Sequence, residues 1–222
     1  MPYNRGGGCP APIRGGSASN CRRNREAGGA NALIAAGLSA APSATSQRLK
    51  PPFVIELLAN HEREKFASGS GPLDRYWKSQ VTQDVRRHVT NCFVAVEVET
   101  GIIAGYYTLA AASIPTPDLP EVVIKRLPRY PSLPAIRVGR LAIDLRFQGK
   151  GLGSALLADA AARGLRAEAA AFAMLVDAKD ADAVAFYEHH GFERLASQPR
   201  SLFLALATAA KALSAGRGEK KR

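Results

Sequence analysis

Ile136-Arg-Val-Gly-Arg-Leu-Ala-Ile143, then Asp144-Leu-Arg-Phe-Gln148-Gly-Lys-Gly-Leu-Gly153, then Ser154-Ala-Leu-Leu-Ala-Asp-Ala-Ala-Ala-Arg-Gly-Leu165 is the stretch whose reading decides the fold. Residues 136–143 are apolar enough for a buried strand, with Arg137 and Arg140 interrupting it. Gly149, Gly151 and Gly153 recur at every second position. Glycine there permits unusual backbone angles and close approach of a ligand. The run that follows is a good helix former, with Asp159, Arg163 and Arg166 as a polar stripe. A glycine loop that opens a helix aims several unpaired N–H groups at one spot, and the helix dipole favours an anion there. Strand, loop and helix therefore read as a phosphate cradle, against the plainer reading of a tight turn before a helix.

The loop lacks the Gly-Lys-Ser/Thr ending of a P-loop. Its Gly-x-Gly-x-Gly spacing is also not the Gly-x-Gly-x-x-Gly of a dinucleotide site. Gln148-Gly149-Lys150-Gly151-Leu152-Gly153 does resemble the acetyl-CoA pyrophosphate loop (Gln/Arg-x-x-Gly-x-Gly) of the GNAT superfamily of N-acetyltransferases. A second motif supports it. Asp180-Ala-Asp-Ala-Val-Ala-Phe186-Tyr187-Glu-His-His-Gly191-Phe192 is similar to the superfamily's Asn-x-x-Ala-x-x-Phe-Tyr-x-x-x-Gly-Phe, with Asp180 where Asn is usual. The two motifs stand in the right order, about one strand and one helix apart.

The chain resembles most the GNAT-type toxins of bacterial toxin–antitoxin pairs, over roughly residues 53–210. The residues that carry this are Gly105-Tyr-Tyr-Thr-Leu109, a proline-bounded insertion, Arg137 to Asp144, Gln148 to Gly153, Asp177 to Asp180 and Gln198 to Leu202. Phe66-Ala-Ser-Gly69 ahead of Leu73-Asp74 stands for the family's Phe-x-Cys-Gly, with Ser68 in place of Cys. The resemblance implies an α/β (α+β) GNAT fold, a mixed central sheet splayed at the acetyl-CoA site and flanked by helices. It implies acetyl-CoA as co-substrate, no metal, and acetylation of the α-amino group of aminoacyl-tRNA, which blocks translation. It also implies a ribbon-helix-helix antitoxin, operator DNA reached through the complex, a homodimer and a cytoplasmic location. Two other functions remain in view. One is a GNAT acting on a small amine or a protein N-terminus. The other is a CoA-binding partner in a DNA complex, without catalysis.

Four tasks assign the site residues. The pyrophosphate falls to Gly149, Lys150, Gly151, Leu152, Gly153 and Ser154, helped by Arg146 and Gln148. The pantetheine arm pairs like an added strand with the edge at Leu141, Ala142 and Ile143, where a backbone N–H polarises the thioester oxygen. Asp180 and Phe186 complete the cofactor side. Tyr187 matches the family's general acid for the leaving thiolate; the plainer reading is a packed aromatic. No carboxylate lies in residues 136–143. Lysine amines, with a pKa near about 10.4, are therefore poorer acceptors than α-amines at about 7.7–8.0. Arg137 and Arg140 cannot share one face of a regular strand, being three residues apart. At least one is expected to meet a CoA or tRNA phosphate; the alternative is a pair with Asp144 or Asp177.

The 222 residues carry a net charge of +11, but unevenly. Residues 1–50 hold +6, residues 205–222 hold +4, and the remainder is almost neutral at +1. Residues 1–48, rich in Gly, Ala, Ser and Arg, cannot bury a core and read as a disordered basic tail. An export signal after Arg22-Arg23, or a later translation start near Leu49 or Val54, are the other readings of that stretch. The acetyltransferase domain is expected at residues 51–210, followed by a basic tail at 211–222. Cys9, Cys21 and Cys92 have no metal-ligand spacing and read as reduced thiols. His189 and His190 read as a solvated helix end. No apolar run reaches the roughly 20 residues of a membrane span.

The remaining elements are expected as a strand at 53–58, a helix at 72–88, a hairpin of strands at 92–98 and 102–112, and a short helix at 121–127. After the central unit come a strand at 171–177, a helix at 181–190 capped by Asp180, a strand at 201–206 and an alanine-rich helix from 207.

Overall fold

The computed structural model describes residues 52–219, with side chains to 215. The expectations for residues 1–48, including Cys9 and Cys21, lie outside the described residues.

Seven strands form one sheet: β1 (Phe53–Leu57), β2 (Asn91–Glu97), β3 (Ile103–Pro115), β4 (Ser132–Ile143), β5 (Ala173–Asp177), β6 (Glu193–Arg194) and β7 (Ser201–Ala205). Their order across the sheet is β1-β2-β3-β4-β5-β7-β6. Every pairing is antiparallel except β4 with β5, which the crossover helix α4 (Leu152–Arg166) makes parallel. This is the mixed, helix-flanked sheet expected from the sequence.

The two ends of the proline-rich stretch are sheet. β3 and β4 run on as a long hairpin until Pro115 faces Ser132. The insertion is thereby reduced to residues 116–131, which hold the short helix α3 (Glu121–Ile124). The helix expected over 72–88 is two helices, α1 (Gly71–Ser79) and α2 (Val81–Arg86), broken at Gln80. The break lets Tyr76, Trp77 and Val81 all reach the sheet and become buried. β6 is two residues long and has no sequence signal of its own.

Two faces of the sheet are filled differently. On one, α4, α5 (Ala181–His189) and α6 (Leu206–Glu219) cover a core that includes Val138, Leu156, Met174 and Leu204. On the other, α1 and α2 bury Trp77, which stacks on Tyr106 with ring centroids 4.5 Å apart. Gly105 makes the first packing possible. A Cβ there would lie 3.0 Å from the Ala142 carbonyl oxygen and 3.2 Å from Leu156. α6 carries the helix to Glu219, into residues assigned from sequence to the tail, and Leu213 packs against the core.

Candidate active site

The strands that matter part company in the middle of the sheet. β4 pairs with β5 only from Ala135 to Val138, opposite Ala173 to Val176. On its other side β4 stays paired with β3 as far as Ile143 opposite Gly105. Residues 139–143 therefore have a backbone edge open towards β5. The Asp144 N–H donates to the Ala104 carbonyl. By the alternation of an antiparallel ladder, Ala142 also faces β3, while Leu141 and Ile143 turn their N–H and C=O groups to the opening. Ala142 instead contributes its methyl group to the α1 side of the core.

A bulge at the Thr108/Leu109 register shift places Gly139 as the extra residue on β4. A Cβ on Gly139 would approach the Thr108 hydroxyl to 3.2 Å. The bulge resets the alternation. Ile136 and Val138 face the α4 side before it, and Leu141 and Ile143 face that side after it. Arg137 and Arg140 thus share one face, contrary to the expectation for a regular strand. Arg137 pairs with Asp177 at 3.3 Å, and Arg140 lies over the Tyr76 ring, 3.6 Å from its centroid. The Asp177 pairing foreseen as the alternative is what Arg137 makes.

The loop after β4 is built on a buried carboxylate. Asp144 is 1% exposed and caps the short 3-10 turn Leu145–Phe147. It accepts hydrogen bonds from the Ala67 and Arg146 N–H groups and from the Arg146 guanidinium, at 2.7–3.1 Å. Burial alone would raise the Asp144 carboxyl; these donors outweigh it and hold the carboxyl below its ordinary range. The Arg146 head group is thus tied to Asp144 rather than projecting alone. The Gln148 amide donates to the Ser68 and Ile143 carbonyls, and the Lys150 amine to the Arg146 carbonyl. Leu145 N–H donates to the Ala67 carbonyl. The Phe66–Gly69 segment is therefore the bracket that holds the loop, a role its sequence alone did not state.

Gly149 and Gly151 have φ of +74° and +76°, and no atom lies within 4 Å of where their Cβ would be. Their open side is where a ligand would stand. No side chain caps α4, so the N–H groups of its first turn, at Leu152, Gly153 and Ser154, point outward at the loop. Gly153 lets the Phe186 ring approach, 3.5 Å from its notional Cβ. These features fit an anionic cofactor head group at the start of α4.

α5 delivers the third part. Asp180 caps it, accepting from the Ala183 N–H at 2.8 Å, and pairs with Lys179 at 2.6 Å. Lys179 and then the Ala183 N–H hold its carboxyl low. Tyr187 is 7% exposed, its ring packed against Phe186 and Phe192. Burial, with a smaller contribution from Asp177, pushes its phenol up to about 12. A phenol held there stays protonated and able to donate across the physiological range. His190 is not a solvated helix end: its ring bonds both Phe186 and Ser154. Cys92 is a buried core thiol, pushed up to about 12 by that burial.

Known proteins share this fold. The acetyltransferase (GNAT) domain family matches residues 89–194. A tRNA-acetylating toxin of Mycobacterium tuberculosis is 36% identical over 141 residues, 63% of this chain and 82% of the relative. The crystal structure of a tyrosine-to-phenylalanine mutant of KacT superposes with a TM-score of 0.68 at 25% identity, over 73% of this chain and 99% of that one. AtaT complexed with an acetyl-methionyl-tRNA gives a TM-score of 0.66 at 23% identity, over 72% and 99%. The same fold recurs in AtaT bound to the C-terminus of the antitoxin AtaR and in a KacTA–DNA complex, both at a TM-score of 0.61. The open edge of β4, the glycine loop, the tyrosine of α5 and these likenesses have one reading: the chain is an acetyl-CoA-dependent acetyltransferase of the GNAT superfamily and belongs to the family of tRNA-acetylating toxins.

Proposed function

We propose that the protein acetylates the α-amino group of aminoacyl-tRNA and acts as the toxin of a toxin–antitoxin pair. The observation that carries the chemistry is the opening between β4 and β5, beside the head of α4. The 36% identical relative, a tRNA-acetylating toxin, supports the substrate. Acetyl-CoA supplies the activated acetyl group.

This chain's residues would do the rest. The N–H groups of Gly149 to Ser154 receive the pyrophosphate. Leu141 and Ile143 offer backbone N–H and C=O groups to the pantetheine arm and the thioester oxygen, so that developing negative charge meets a fixed donor. Tyr187 donates its proton to the departing sulfur, and the proton the amine loses on forming the amide restores the phenol through solvent. The α-amine needs less help than a lysine amine, because a far larger fraction of it, roughly a tenth or more, is unprotonated near neutral pH. Arg140, on the strand next to Leu141, presents a cation on the other face for the acceptor's phosphates. Arg137 is committed to Asp177. Neighbours of this fold are seen with an antitoxin and with DNA; the partners proposed here are a ribbon-helix-helix antitoxin, operator DNA reached through the complex, and a second copy of the chain in a homodimer. Among the described residues no helix is long and apolar enough to cross a membrane.

The test incubates purified protein with labelled acetyl-CoA and charged or uncharged tRNA pools. Label on charged tRNA alone, released by deacylation, is the expected result. Label on protein lysines with tRNA untouched overturns the substrate assignment.

A further inference from the structure

His190 closes α5 where that helix meets the head of α4. Its Nδ1 lies 2.7 Å from the Phe186 carbonyl oxygen, and its Nε2 lies 2.8 Å from the Ser154 hydroxyl. A carbonyl only accepts, so Nδ1 carries a hydrogen in every protonation state of this geometry. In the neutral ring Nε2 is then the acceptor, and Ser154 donates its hydroxyl hydrogen to it. The hydroxyl thereby turns its lone pairs, not its hydrogen, to the loop where phosphate is expected. In the imidazolium Nε2–H donates to Ser154, whose own hydrogen becomes available to a phosphate oxygen.

The surroundings leave the choice to the ring and the incoming anion. Ser154, Leu157 and Ala158 of α4, Met174 of β5, Leu204 of β7 and Leu213 of α6 line the small 130 Å³ cavity beside His190, and none is charged. On α5 itself the neighbouring titratable groups are His189, its ring 5.2 Å away, Glu188, which is paired with Arg194, and Tyr187, whose buried phenol stays protonated.

We propose that His190 is a positioning residue for the cofactor phosphates. It sets the direction of the Ser154 hydroxyl, and phosphate binding at the head of α4 draws a proton onto its ring. The inference rests on the reading of that helix head as the pyrophosphate site. Binding to Gly151→Glu tests that reading separately.

The experiment measures acetyl-CoA affinity by calorimetry from pH 6 to 8 in buffers of different ionisation heat, for the wild type, His190→Gln and Ser154→Ala. Kinetics with acetyl-CoA are set against kinetics with acetyl-pantetheine, which has no phosphate. The wild type is expected to bind acetyl-CoA more tightly as pH falls, by up to about tenfold per pH unit for one linked proton, with proton uptake. Both variants should lose that part of the slope. The titration of the cofactor's own phosphate is common to all three and cancels in the comparison. KM for acetyl-CoA should rise in both variants by a larger factor than KM for acetyl-pantetheine. An unchanged slope in His190→Gln, or an equal loss on acetyl-pantetheine, overturns the proposal; the latter outcome would make His190 only a support for α5.

Discussion

Tyr187 and Asp144 are both almost fully buried, and burial favours the neutral form of each, but their partners make the outcomes differ. For the phenol, burial favours the neutral form and keeps its proton in place. Tyr187→Phe removes only the hydroxyl, so fold and acetyl-CoA affinity should persist while kcat falls about 10²–10⁴-fold, the scale of a positioned acid. Steady-state kinetics on charged tRNA checks this; undiminished turnover would return Tyr187 to the role of a packed aromatic. For Asp144, the donors around it outweigh burial and favour the charged form. The sign follows. A carboxylate depressed in the folded state adds stability above its unfolded pKa of about 3.9, and that stability is lost as pH falls through the lower folded value. Asp144→Asn should therefore lower the melting temperature at pH 7. The gap to wild type should shrink as pH falls from about 4 towards 2. A gap independent of pH would mean that the carboxylate's charge does not matter.

At the scale of elements, glycine positions decide where helix, strand and loop can meet. Gly105→Ala would press its methyl on the Ala142 carbonyl, which is backbone and cannot swing away. A loss of about 1–3 kcal/mol is expected, as for other overpacked sites, and thermal melting measures it. Gly151→Glu differs because its Cβ would enter open space. The positive φ costs roughly 1–2 kcal/mol, the fold should survive, and a carboxylate would stand where the anion belongs. Calorimetry should find acetyl-CoA binding abolished; unchanged affinity in the folded variant would remove the cradle. The loop glycines were legible from sequence because their spacing and the helix after them are local, whereas the close approach at Gly105 was not. The bulge at Gly139 was not, since it depends on the register with β3. That is why Arg137 and Arg140 were expected on opposite faces. The bonds of Gln148 to Ser68 and of His190 to Ser154 span 80 and 36 residues, and no periodicity reports such partners. The gap in helix 72–88 was equally hidden, because its cause is the fit of Trp77 and Val81 to the sheet.

Over the whole molecule the net charge lies in the two ends of the sequence. Residues 1–50 carry +6, against +1 for residues 51–204. An acceptor as highly charged as tRNA gains affinity from such a stretch without needing it for catalysis, because phosphate contacts release counterions and weaken with salt. Removing residues 1–48 takes away Arg5, Arg14, Arg22, Arg23, Arg25 and Arg48. Each arginine that meets a phosphate contributes about 0.7–0.9 to the slope of log affinity against log salt. The truncated protein should therefore show a higher KM for charged tRNA and a shallower salt dependence. Its melting temperature and acetyl-CoA affinity should match those of the full chain, since the loop, the open edge of β4 and Tyr187 all lie between residues 139 and 187. KM measured from 50 to 200 mM salt on both proteins decides the matter. An unchanged slope would show that the stretch does not touch RNA. A fall in acetyl-CoA affinity would show that it completes the site described here.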